Sequence, residues 1–145
     1  MKTEKLMQEL VADLMKLNVN IHNLHWNVVG PDFKEYHVML EGMYNDVFGK
    51  YDDVAELLKS HDIYPVASFG EYAKLSKVKD LDFKRDYNEK EVLIEVKEIY
   101  EYLIAKFKEI RAVAADADEF SVANMMEDYM GEYYKALWMI NARMK

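Results

Sequence analysis

The sequence has no cysteine, only two prolines and only five glycines in 145 residues. Without cysteine there is no disulfide framework, no thiolate zinc site, no cysteine-ligated iron–sulfur cluster and no cysteine nucleophile. Any metal would have to sit on His, Asp and Glu. The shortage of proline and glycine leaves few places where a helix is forced to stop. Long apolar runs are missing too: none approaches the roughly 18 residues of a membrane span. Met1-Lys2-Thr3-Glu4-Lys5 leads into an amphipathic pattern and not into the apolar region of a signal peptide. The expectation is a soluble, unexported, cytoplasmic chain with no membrane partner. Basic charge is also short. The 19 Lys+Arg stand against 27 Asp+Glu, a formal net charge of -8, which suits a protein that concentrates cations better than one that grips phosphate backbones.

What is present is apolar: 51% of the residues are hydrophobic, enough for one domain over 1–145 with a single core. The apolar residues recur at three- and four-residue steps, the helical period, so the expected fold class is all-α. Leu6, Leu10, Leu14, Leu17, Ile21, Leu24 and Val28 form one stripe from about residue 3 to 28, closed by Gly30-Pro31. Asp32 with Glu35 reads as a capping box opening a second helix, whose stripe is Tyr36, Leu40, Met43, Val47, Tyr51, Val54 and Leu58. From His61 to about Tyr87 the period is lost, except for a short helix over about 69–76 that Ser68 and Glu71 announce. Asn88 with Glu91 caps a third long helix with Val92, Val96, Ile99, Leu103, Phe107, Ile110 and Ala114 on its face. After Asp116-Ala117-Asp118 a fourth carries Val122, Met126, Tyr129, Tyr133, Leu137, Ile140 and Met144. Four long helices with one long link describe a four-helix bundle with a single crossover, the ferritin-like connectivity.

The chemistry-bearing residues lie at the borders of these stripes. With His37 as origin on the second helix, Glu41 falls at about 40°, Asp52 at about 60° and Glu56 at about 100°, beside an apolar sector from about 240° to 320°. His25 holds the matching border on the first helix. A short connection makes the two helices antiparallel, so His25 and His37 lie at one height. Asp52, however, is fifteen residues beyond His37, about 22 Å along a rigid helix. Metal–ligand bonds are about 2 Å long, so His25, His37, Asp52 and Glu56 can share a site only if the carboxylates come from a second chain across a two-fold axis. Against this stands the ordinary reading, in which a border histidine simply makes a hydrogen bond and i,i+4 carboxylates face water.

The run Asn20-Ile21-His22-Asn23-Leu24-His25-Trp26-Asn27-Val28-Val29-Gly30-Pro31-Asp32-Phe33, then His37, then Asp52-Asp53-Val54-Ala55-Glu56, resembles the signature of the Dps family, the mini-ferritins. Pro65–Tyr72 resembles that family's short crossover helix, and Leu137-Trp138-Met139 its last helix, so the likeness covers nearly the whole chain. The resemblance implies a homo-oligomeric shell of twelve subunits that oxidises iron(II), usually with hydrogen peroxide, and stores the iron(III) mineral. It implies His25 and His37 from one chain, and Asp52 and Glu56 from its two-fold partner, as ferroxidase ligands. Glu41 would lie near the second iron, and Trp26 would adjoin the site as an oxidisable indole or as an aromatic filling an interface. An acidic cluster of Asp116, Asp118, Glu119, Glu127 and Asp128 lies where the family has its iron-entry pores. The same acids would also serve as ordinary solvated charge at a helix start.

Two other function classes share this sequence pattern. A DNA-compacting protein of the family uses a lysine-rich tail. Here only Lys2 and Lys5 lie near the start and Arg143-Met144-Lys145 follows the last stripe directly, so DNA binding is not expected. A bundle holding a redox-inert metal would use the same ligands, and zinc is a possible substitute for iron.

Overall fold

The computed structural model describes residues 1–145. Its elements are α1 (Glu4–Asn27), β1 (Val28–Val29), α2 (Phe33–Ser60), α3 (Phe69–Leu75), β2 (Tyr87–Asn88), α4 (Glu89–Asp116) and α5 (Phe120–Arg143). The all-α expectation holds: four long helices and a short one in the crossover fall within one or two residues of the boundaries read from the sequence. The two-residue strands pair in parallel, Val28 with Tyr87 and Val29 with Asn88, and no sequence signal announced them. No helix is long and apolar enough to cross a membrane.

The chain divides into two compact units, Met7–Val92 and Met1–Leu6 with Leu93–Lys145. The expected faces of α1 and α2 are buried, apart from half-buried Leu6 and, in the first unit, half-buried Tyr51. α1 and α2 run antiparallel. His25 meets His37, and seven residues earlier on α1 the Asn18 amide donates to the carbonyl of Tyr44, seven residues later on α2 (2.9 Å). In the second unit Phe107, fully buried, packs against Tyr129 and Tyr133, and Tyr100 packs against Tyr133. All seven expected residues of α4 are buried, whereas Leu137 and Met144 of α5 are not.

The crossover is irregular yet firmly held, because a polar stripe along α1 hydrogen-bonds its backbone. Gln8 donates to the carbonyl of Tyr64 and accepts from the N–H of Val66. Asp13 accepts from the Ser76 hydroxyl, and Lys16 donates to the carbonyl of Val78. Asn20 donates to Lys79 and accepts from Leu81, and Asn23 donates to Asp82. These anchors satisfy loop groups that would otherwise lose water without a partner.

The two capping signals around the crossover are realised. Glu71 N–H donates to Ser68 Oγ (3.2 Å), and Asn88 and Glu91 form a reciprocal box (2.8 and 3.2 Å). The box expected at Asp32 and Glu35 does not form, since the Asp32 side chain caps nothing. Its own N–H donates instead to Glu89 Oε2 (2.7 Å), so a carboxylate from the start of α4 serves the start of α2.

Candidate metal centre

α1 ends at Asn27, which leaves the carbonyls of its last turn without helical partners. That of His25 is taken by a side chain from α2: His37 Nδ1 lies 2.8 Å from His25 O, and His25 Nδ1 lies 2.7 Å from His37 O. A carbonyl can only accept, so each Nδ1 carries the proton and donates. In the neutral imidazole both Nε2 atoms then keep a free lone pair, the form that binds a metal. The rings stack with centroids 3.6 Å apart and planes 16° apart, and Phe33 covers the far side of His37 at 5.1 Å. His25 is buried and His37 half-buried, so the two rings are fixed in orientation and register.

Tyr44, seven residues and nearly two turns beyond His37, completes this cluster and was missed from the sequence, although its spacing puts it on the His37 face. Its ring stacks on His22 (3.8 Å) and meets His25 edge-on (5.1 Å). Its hydroxyl donates to Glu41 Oε1 over a long 3.5 Å. Desolvation, with the Glu41 carboxylate beside it, pushes the Tyr44 phenol up from its ordinary value. His22 donates from Nδ1 to Asn18 O (2.8 Å), and its ring stands 5.5 Å from the indole of Trp26, which is 68% exposed.

Asp52 and Glu56 are exposed further along α2 and are not brought to the histidines. Within one chain no three His, Asp or Glu side chains converge as a metal site. Near Asp52 the Tyr51 and Tyr72 hydroxyls hydrogen-bond, joining α2 to α3, and burial pushes the Tyr72 phenol up.

The acidic residues of the α4–α5 junction are spread over different tasks. Asp116 and Asp128 are exposed, and Asp118 sits in a turn at φ 57°. Glu127 pairs with Arg111 (3.0 Å). Glu119 is bound to the chain start: Thr3 Oγ1 donates to it (2.7 Å), as do the backbone N–H groups of Lys2 and Thr3.

Four long helices with a short one in the crossover, and histidines and carboxylates along one pair of them, define a protein of the ferritin-like class. A family model for the ferritin-like domain matches residues 4–145. The chain is 31% identical over 144 residues to a DNA protection during starvation protein of Helicobacter pylori, covering 99% of each. It is also similar to crystal structures of CAIP from Helicobacter cinaedi (TM-score 0.93, 31% identity, 97% of each chain) and of the Dps protein from Vibrio cholerae (TM-score 0.92, 26% identity, 99% of this chain and 91% of that one). The latter is described as a member of a broad superfamily of ferritin-like diiron-carboxylate proteins. The chain belongs to the Dps family within the ferritin-like superfamily.

Proposed function

We propose that this chain, as a single ferritin-like domain over 1–145, is an intracellular iron-storage and detoxification protein. It oxidises iron(II) with hydrogen peroxide at sites shared between subunits and keeps the iron(III) mineral inside a twelve-subunit shell. The observation that carries this reading is the reciprocal lock of His25 and His37, which leaves two Nε2 lone pairs held in place and no carboxylate of the same chain to complete a site.

A second copy supplies the missing half. His37 and Asp52 are equidistant from a point between Tyr44 and Asn45, so a two-fold axis crossing α2 there sets each His37 against the partner copy's carboxylates. Val19, Trp26, Val38, Phe48 and Phe69 are each about half exposed or more, apolar surface that a partner would cover. Iron(II) is the substrate. Imidazole and carboxylate hold it with positions left for the oxidant, and hard carboxylate oxygens favour the iron(III) product. Glu41 lies one turn from His37 and extends the carboxylate set. Trp26, exposed beside the cluster, is the residue placed to give an electron to any stray one-electron oxidant. Asp116, Asp118, Glu127 and Asp128 guide cations inward, and Glu119 lines the same junction while holding the chain start. Zinc competes for the site without being oxidised. Duplex DNA is not the partner this acidic chain favours.

Two iron(II) ions give one electron each to one peroxide, whose O–O bond breaks. With two water molecules the products are two FeOOH units and four protons. The expected result is therefore two iron(II) consumed per peroxide in stopped-flow titration, with at least a 100-fold loss of rate in His37→Ala. One iron per peroxide, with hydroxyl radical released, would overturn the reading.

A further inference from the structure

The two histidines interlock at the point where α1 stops. With α1 ending at Asn27, no N–H of a further helical turn shares the His25 carbonyl with His37. Val29 is drawn into the parallel pair with Asn88, and the chain turns at Gly30. Gly30 has φ 146°, open in practice only to glycine, and a Cβ there would lie 2.7 Å from Cδ and 2.9 Å from Cγ of Glu89. The Glu89 side chain thus lies directly against the turn, with Oε2 accepting the Asp32 N–H at 2.7 Å. The Asp32 side chain makes no capping bond, and Glu89 supplies an acceptor and a negative charge at the helix's positive end. His37 lies four residues beyond the first residue of α2, so the start of that helix sets its height against His25.

Glu89 is itself held firmly. It is the first residue of α4, directly after the Asn88–Glu91 capping box, and Glu91 is further fixed by an ion pair with Arg85, whose guanidinium lies 4.0 Å over the Tyr87 ring. The latch therefore runs from a braced helix start, through one carboxylate, to the turn that joins the two helices bearing the histidines.

We propose that Glu89 is a positioning residue for the His25–His37 pair: its carboxylate fixes the Gly30–Asp32 turn, and thereby the register in which each imidazole reaches the other's carbonyl. This rests on the metal-centre reading above, and it places control of metal affinity in a residue that touches no metal. Hydrogen-bond partners behind metal ligands typically change affinity 10- to 100-fold when removed.

The test uses the assembled protein and cobalt(II), which is not oxidised by air at such ligands and whose visible absorption reports the site. Glu89→Ala is expected to weaken cobalt binding about 10-fold or more. Glu89→Gln keeps an oxygen acceptor for Asp32 and is expected to bind cobalt more tightly than Glu89→Ala. Deuterium uptake by residues 28–33 should rise in Glu89→Ala and not in Glu89→Gln. Should Glu89→Ala fail to assemble, Glu89→Asp, one methylene shorter, is measured instead and should shift binding and uptake in the same direction. Cobalt affinity in Glu89→Ala equal to wild type would overturn the inference, and so would a Gln variant as weak as the Ala one. His37→Ala serves as the control. If it binds cobalt as wild type does, the metal-centre reading fails, and the uptake data still show whether Glu89 holds the turn.

Discussion

Single residues here do work that their type alone does not announce. Glu119, one of five acids at the α4–α5 junction, accepts from Lys2, from Thr3 and from the Thr3 hydroxyl. Burial pushes its carboxyl up, but those donors and the N-terminal ammonium outweigh burial and hold it below the ordinary value. A carboxyl lowered by folding stabilises the protein above its unfolded pKa, about 4.3 for Glu, and loses that contribution as the pH falls through the lowered folded value. Glu119→Gln should therefore cost stability at pH 7, on the order of 1–2 kcal/mol, and flatten the loss of stability on acidification. Urea unfolding at pH 7 and at about pH 3.5 measures both effects. An identical pH dependence in wild type and variant would refute the assignment. Phe107 is the simpler case, a fully buried ring against two tyrosines that was already visible at the centre of its stripe.

At the scale of elements, the helices were legible because burial repeats with their own period, and the α4 stripe was correct at every position. The crossover was not. Gln8, Asp13, Lys16, Asn20 and Asn23 read in the sequence as the polar side of α1, and nothing local says that they face a loop some sixty residues away. The start of α2 shows the same limit. Asp32 and Glu35 carry the capping pattern, but a carboxylate 57 residues away holds the Asp32 N–H. The histidine lock was half legible: the turn between the helices predicted equal heights, while the reciprocal bonds depend on ring orientations that no spacing announces. Asn20→Ala removes the acceptor of Leu81 and the donor to Lys79 together, and should cost about 1–3 kcal/mol. It should also speed deuterium uptake over residues 78–82. Unchanged uptake there would show that the crossover is held by something other than the polar stripe.

For the whole molecule, no three His, Asp or Glu side chains converge within one chain, so the proposed site needs a second copy. If His37 and Asp52 serve one metal, the fifteen-residue interval between them requires a second chain, because a helix is stiff and metal bonds are short. The exposure of Trp26, Phe48 and Phe69 could not be read from periodicity, since a residue facing a partner and a residue facing water occupy the same side of a helix. Complementation tests the shared site most directly. His37→Ala and Asp52→Ala chains are prepared separately, each expected to have lost rapid peroxide-driven iron oxidation, then unfolded and reassembled together. In a mixed pair one site receives both lesions and the other receives none. Random pairing makes about half of the pairs mixed, so roughly a quarter of wild-type activity should return. No recovery in a mixture of normal size and helicity would mean that every site keeps a lesion, as it would if His37 and Asp52 acted within one chain, and would contradict the inter-subunit centre.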